Sequence, residues 1–170
     1  SNKRGLWPSE EPSRPTMLAS IALYVAASSA QLIVSQTTRR NEHSPLSRLK
    51  VLAYGDALIA KREALTRGAT DAVLLNTQGN VACCTVGNLF IRDDNGWATP
   101  RLDDGVLNGL ARARVLHTLA ARERRIAAAE LGTIREALIT NSLGLAPVTH
   151  IEGRALDVTE IGALATLYAD

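Results

Sequence analysis

Aromatic residues are scarce in this 170-residue chain, 4% with a single Phe, which removes the stacking platforms that single-stranded nucleic acids need. Charge of one sign is missing too. The 19 basic and 17 acidic residues are mixed along the chain and leave a formal +2, so no field is available to hold a polyanion, and nucleic acid is not an expected partner. Cysteine is limited to the neighbours Cys83 and Cys84, and one adjacent pair is not the spaced framework of a disulfide-built secreted domain. The corresponding expectation is a reducing, cytoplasmic location. His43, His117 and His150 lie far apart in sequence and lack ligand spacing, so no metal site is expected. A long hydrophobic run is also lacking: Met17 to Val34 is apolar, but Ser20, Ser28, Ser29 and Gln31 interrupt it short of the roughly 20 apolar residues a spanning helix needs. There is no internal repeat, no low-complexity tract, no GxGxxG fingerprint, no Walker lysine and no GxSxG elbow.

What is present is a core-forming composition, 46% apolar and 21% charged, carried by Leu, Ala, Val and Ile, and of a size for one ordinary domain. Residues 1–15 hold three of the six prolines and no apolar signal-peptide centre, so they read as a loop or an added chain end ahead of a domain spanning 16–170. Met17 to Val34 suits two strands around an Ala-Ala-Ser-Ser-Ala connection, and Gln36 to Ser47 a surface connection. Tyr54, Leu58 and Leu65, with Ala57 and Ala64, recur at helical spacing up to Gly68, which is placed to end a helix over Tyr54 to Arg67. Ala72 to Asn76, Val81 to Cys84, Asn88 to Arg92 and Trp97 to Thr99 have strand composition, with a turn at Asp93-Asp94-Asn95-Gly96. A second helix opens at Gly105 on Leu107, Ala111, Val115 and Leu119. Arg112, Arg114, Arg122, Arg124 and Arg125 then form a solvated basic face. Strands at Leu138 to Thr140 and Val148 to Ile151 flank a turn with Gly144 and Pro147, Glu152-Gly153 is a hairpin tip, and Thr159 to Tyr168 closes as a short helix. The class is a mixed-sheet α/β domain.

Composition alone places a candidate site at a lysine near a loop-to-helix junction, polar residues at strand ends and a glycine at a helix start, which several folds offer. An ordered series of segments narrows this: Ser44-Pro45-Leu46-Ser47-Arg48-Leu49-Lys50, Glu63-Ala64, Gly68-Ala69, Leu74-Leu75-Asn76, Gly79-Asn80-Val81, Asn88-Leu89-Phe90, Thr99-Pro100, Gly105-Val106-Leu107-Asn108-Gly109 and Thr140-Asn141-Ser142. In order and spacing, from about Arg4 to Gly153, the chain resembles the class IV aminotransferase group, which includes branched-chain and D-amino-acid aminotransferases and 4-amino-4-deoxychorismate lyase. The resemblance implies the larger, carboxy-terminal domain of the fold-type IV enzymes, with pyridoxal 5'-phosphate (PLP) as cofactor, a small amino substrate and a homodimer. It implies Lys50 as the Schiff-base lysine, Gly109, Leu110 and Ala111 as main-chain donors to the phosphate at a helix start, and Ser142 as a hydroxyl on that phosphate. Partial burial is the expected means of keeping the Lys50 amine neutral part of the time. The bland counterparts are a surface lysine ending a loop and a turn serine with no ligand. Lys61, in the first helix beside Arg62, reads as a solvated charge.

Two departures accompany the resemblance. Relatives carry a glutamate against the pyridine nitrogen where this chain has Cys83, and a thiol is a weak hydrogen-bond partner. Cys83 is either a cavity residue or a small buried apolar one. The amino-terminal domain of the family, which supplies a phosphate-binding arginine and much of the substrate pocket, is apparently absent. Within the group, the spacing from Lys50 to Ala64, Asn108 before Gly109, and Thr140-Asn141-Ser142 lean toward 4-amino-4-deoxychorismate lyase. The alternatives are an amino-acid aminotransferase and a non-catalytic or truncated domain of the same fold.

Overall fold

A computed structural model describes residues 17–23, 28–159, 161 and 164. Among these, nine strands form one mixed sheet. The strands are β1 (Ala30–Val34), β2 (Asp71–Leu75), β3 (Val81–Cys84), β4 (Asn88–Asp93), β5 (Gly96–Thr99), β6 (Arg122–Glu123), β7 (Glu136–Asn141), β8 (Gly144–Ile151) and β9 (Arg154–Ala155). Their order is β3-β2-β1-β8-β7-β4-β5-β6, with β9 on β8. β1 runs parallel to β2 and β8, β5 parallel to β6, and the remaining pairs are antiparallel. No helix among the described residues is long and apolar enough to cross a membrane.

Side chains alternate across the sheet as the pleat requires. Leu32, Val73, Leu89, Ile91 and Val148 enter one core with Ile126 and Ile134. Their neighbours face the other side, where two helices lie. Ile33, Ala72 and Leu74 pack on α1 (Gly55–Thr66) through Ala60 and Ala64, and Phe90 and Leu138 meet α2 (Leu110–Thr118) through Val115. β8 joins the halves of the sheet: Gly144 to Pro147 pair with β7, and Val148, His150 and Ile151 pair with β1. Pro147 therefore lies in a strand, not in the expected turn. It sits where the strand changes partners, so its missing N–H breaks neither ladder. The turn is the two residues Ser142 and Leu143, with Gly144 opening β8.

Three further expectations change. Residues 17–23 form no strand, and 24–27 lie outside the described residues, so the proposed first strand is not seen over Met17 to Leu23. β2 and β8 already occupy both edges of β1, which leaves no place beside it for a hairpin partner. The second helix begins at Leu110, not Gly105. Gly105 is left-handed at φ 87° after a 3-10 turn at Leu102–Asp104, and irregular chain follows to Gly109, whose N–H bonds back to the Leu107 carbonyl at 2.9 Å. The solvated basic face holds only in part: Arg114, Arg122 and Arg125 are exposed, but they do not share one helix face with the rest. Arg112 is 2% exposed and donates to the Pro100 carbonyl and to Glu123, while Arg122, Arg124 and Arg125 lie beyond the helix and pair with Asp93, Glu130 and Asp104. The first helix ends as expected, with Arg67 as C-cap and Gly68 at φ 75°. Its buried face is Ala60 and Ala64, however, while Leu58 is 68% and Leu65 61% exposed. Residues 1–16 and most of the expected closing helix lie outside the described residues.

Candidate functional site

Between α1, α2 and the sheet lies a cavity of about 560 Å³, within the roughly 300–1,000 Å³ typical of small-molecule sites. All six residues singled out from the sequence line it: Lys50, Cys83, Gly109, Leu110, Ala111 and Ser142. They come from four places that the fold brings together. Lys50 follows the 3-10 turn Pro45–Arg48, which Ser44 caps by accepting from the Leu46 N–H at 3.3 Å. Cys83 is on β3. Gly109 is the N-cap of α2, and Ser142 belongs to the β7–β8 turn.

Lys50 is exposed rather than partly buried as expected. It is held from the side, its Nζ donating to the Tyr54 hydroxyl at 2.8 Å and standing 5.5 Å from the ring centre. The sequence reading took Tyr54 only as the first apolar position of a helix; its place four residues after the lysine was the only signal for the site, and residues 50–54 are not helical. Lys61 is not on this cavity. Its Nζ donates to the Thr70 carbonyl, so it is pinned rather than freely solvated.

The loop carrying these residues is anchored by Glu63. Its carboxylate accepts from the Ser35 hydroxyl at 2.8 Å, the Thr37 hydroxyl at 2.7 Å and the Gln36 and Thr37 N–H groups at 3.1 and 3.3 Å. Burial acts to raise its pKa, but these bonds together win and hold it at about 2.

At the opposite end, helix geometry leaves the first N–H groups of α2 without intrahelical partners, and Gly109 has no side chain to cap them. A Cβ on Gly109 would stand 3.3 Å from Asn88 Oδ1, so glycine keeps this cradle open. Asn88 Nδ2 donates to the Leu107 carbonyl at 3.0 Å and fixes the approach to the helix. Among the described residues, Arg39, Arg40, Lys50 and Arg114 all line the cavity against one acid, Asp56. The sequence reading had assigned none of the three arginines to the site. Such a lining favours an anion.

Cys83 faces the cavity opposite Leu74 in the β2–β3 ladder, with part of its surface against the alanine side of α1. Both readings of it keep support, since it lines the cavity and also packs against the apolar cluster under α1. Burial pushes its thiol up to about 11, with Arg40 lowering it and Asp71 raising it by less. The thiol is therefore neutral near pH 7. Cys84 points into the main core, and burial raises its thiol well above the ordinary range.

The sequence matches the amino-transferase class IV family over residues 1–151. The chain belongs to that family. A branched-chain-amino-acid aminotransferase, provisionally so named, from Aquifex aeolicus is 36% identical over 139 residues, 77% of this chain and 45% of that protein. A structure from Legionella pneumophila that carries 4-amino-4-deoxychorismate lyase as its provisional name superposes with a TM-score of 0.79 at 30% identity, covering 88% of this chain and 58% of the other. The PLP form of the Thermobaculum terrenum branched-chain aminotransferase gives 0.75 at 26% identity, over 83% of this chain and 50% of that one. The mixed α/β sheet is thus that of the fold-type IV enzymes, whose cofactor is PLP. This chain spans about half the length of these relatives.

Proposed function

We propose that this chain is the cofactor-carrying domain of a PLP-dependent enzyme whose reaction is elimination of pyruvate from 4-amino-4-deoxychorismate, leaving 4-aminobenzoate. The observation that carries the cofactor assignment is the convergence of Lys50, Cys83, the start of α2 and Ser142 on one cation-lined cavity. The donor set fits a phosphorylated ligand: the open N–H groups of Leu110 and Ala111 and the Ser142 hydroxyl hold the phosphate, and the α2 dipole adds to their pull. When bound, PLP supplies an electron sink for bonds broken at the substrate α-carbon.

Lys50 provides the attaching amine and carries protons at Nζ. Tyr54 limits where that Nζ reaches by accepting from it. Cys83 offers the cofactor ring only a neutral thiol, where a carboxylate would form a charge-assisted bond to a protonated ring nitrogen. This favours elimination over transamination, because forming an aromatic product is strongly downhill and leans less on the electron sink. Residues 16–170 are the carboxy-terminal domain in this reading. A preceding domain closes the exposed side of Lys50, adds substrate contacts, and allows the homodimer expected of the group.

A second reading, branched-chain amino-acid transamination, draws support from the Aquifex aeolicus relative and from the apolar side chains of Leu49, Val51, Leu74 and Val86 on the cavity. The test is to add PLP, record a visible band, reduce with borohydride and locate the fixed cofactor by mass spectrometry. Fixation on Lys50 is expected, and no fixation overturns the cofactor assignment in favour of a non-catalytic domain. Release of 4-aminobenzoate from aminodeoxychorismate is then expected. Amino transfer from a branched-chain donor to a keto acid, with no 4-aminobenzoate formed, overturns the lyase assignment.

A further inference from the structure

The two ends of the cavity are joined by one side chain that neither end contains. Arg40 is rooted beside β2, its N–H bonded to the Leu75 carbonyl at 2.8 Å. From there its guanidinium splits. Nη2 donates to the Ser47 carbonyl at 2.7 Å, three residues before Lys50, and Nε donates to the Gly105 carbonyl at 3.0 Å, four residues before Gly109. Both receiving segments are themselves fixed. Ser47 is buried, and its hydroxyl donates to the Asn41 carbonyl at 2.6 Å; on the other side Val106 is buried and Leu107 is tied to Asn88. The crossing needs Gly105 as well, since a Cβ there would stand 3.1 Å from Arg40 Cγ and 3.1 Å from Glu42 Cα.

We propose that Arg40 is a positioning residue, a strut that sets the separation between the Lys50 loop and the start of α2, so that a ligand gripped at both ends meets a preset distance. The inference rests on the PLP reading. Its physical basis is that a guanidinium presents donors in a rigid planar fork, so two carbonyls bonded to it cannot move independently. A ligand that spans both ends gains from that fixed distance, because ordering the second grip has already been met by the fold. A ligand that uses one end alone gains nothing. Arg40→Lys keeps the charge but cannot hold both carbonyls in the same fork.

The experiment compares three probes on the unsubstituted chain and on Arg40→Lys: PLP, which needs both ends; pyridoxal, which lacks the phosphate; and inorganic phosphate. PLP affinity is expected to fall on the order of tenfold or more, as for a misplacement of about an ångström, while the two one-ended probes change by less than about twofold. Equal losses for all three, or no loss for PLP, overturn the strut. Should Arg40→Lys fail to fold, hydrogen exchange on the unsubstituted chain decides: saturating inorganic phosphate should slow the amides of Ser47 and Leu49, across the strut from α2. Unchanged exchange there, or no phosphate binding at all, overturns it. If the unsubstituted chain never fixes PLP on Lys50, the cofactor reading falls, and the exchange measurement still tests the strut.

Discussion

The sheet wall of the cavity and the lysine wall are fixed by different means. On the sheet wall, Thr85, Asn88 and Thr140 are each 7% exposed or less, and Asn88 pairs with Thr140 in the β4–β7 ladder. On the lysine wall, Leu49 and Tyr54 are 55% and 37% exposed, and the chain from Leu49 to Tyr54 has no regular structure. That wall is held by a few polar ties: Arg40 to Ser47, Lys50 to Tyr54, and Glu63 to Ser35, Gln36 and Thr37. Burial and a hydrogen-bonded ladder hold a wall in place whatever occupies the cavity, whereas point ties hold it only while each donor and acceptor keeps its charge and reach. Lys50, the proposed attaching group, sits on the second kind of wall. Changes there should separate activity from stability more sharply than changes on the sheet.

The largest separation is expected at Lys50. Lys50→Ala should abolish borohydride fixation and lower turnover on the order of 10³-fold or more. Its unfolding free energy should stay within about 0.5 kcal/mol of the parent, since an exposed side chain with one side-chain bond is removed. Continued fixation would place the attaching lysine elsewhere.

Glu63→Ala should do the reverse, costing on the order of 1–2 kcal/mol by leaving the buried Ser35 hydroxyl unpaired and removing the bonds from the exposed Gln36 and Thr37. The sign with pH follows from a folded pKa of about 2 set against an ordinary 4.5. The bonds to the ionised carboxylate stabilise the fold fully above pH 4.5, and that contribution is lost as pH falls from 4.5 toward 2. Urea titrations at pH 7, 4 and 3 should show a declining gap between parent and variant, and a constant gap would remove Glu63 as the anchor.

Cys83→Glu probes the floor where the two walls meet. A carboxylate near Arg40 and facing the cavity should tighten PLP by roughly tenfold, about 1.4 kcal/mol, and raise transamination more than elimination. A variant that loses several kcal/mol of stability with unchanged PLP affinity would show that the new carboxylate turns into the alanine layer under α1 instead.

The smallest effect is expected at Gly109, where the start of α2 meets Asn88 of the ladder-held wall. Gly109→Ala brings a Cβ to 3.3 Å from Asn88 Oδ1, which the amide can relieve by a small shift. Phosphate binding should weaken about threefold, below 1 kcal/mol on the affinity scale, with little change in thermal midpoint. A hundredfold loss would mean that this wall is as finely balanced as the other.

Local sequence carried a good deal of this molecule. The strands from Ala72 to Thr99 fall where their composition placed them, and Gly68 ends α1 because a left-handed residue there needs no Cβ. The ordered segments around Lys50, Val81, Gly109 and Ser142 were enough to indicate the family. What periodicity could not tell was which side of each helix would be covered. On α1 the small Ala60 and Ala64 meet β2, where the chain comes close, and the larger Leu58 and Leu65 are left outside. On α2 a buried Arg112 serves the Pro100 carbonyl from within a stretch that read as solvated. Arg40, Tyr54 and Arg114 gained their places at the cavity only when distant segments converged, and Pro147 became tolerable only because β8 changes partners there. Backbone preference and composition are written residue by residue, but burial and hydrogen-bond partners are properties of the assembled chain, and the tertiary structure alone decides them.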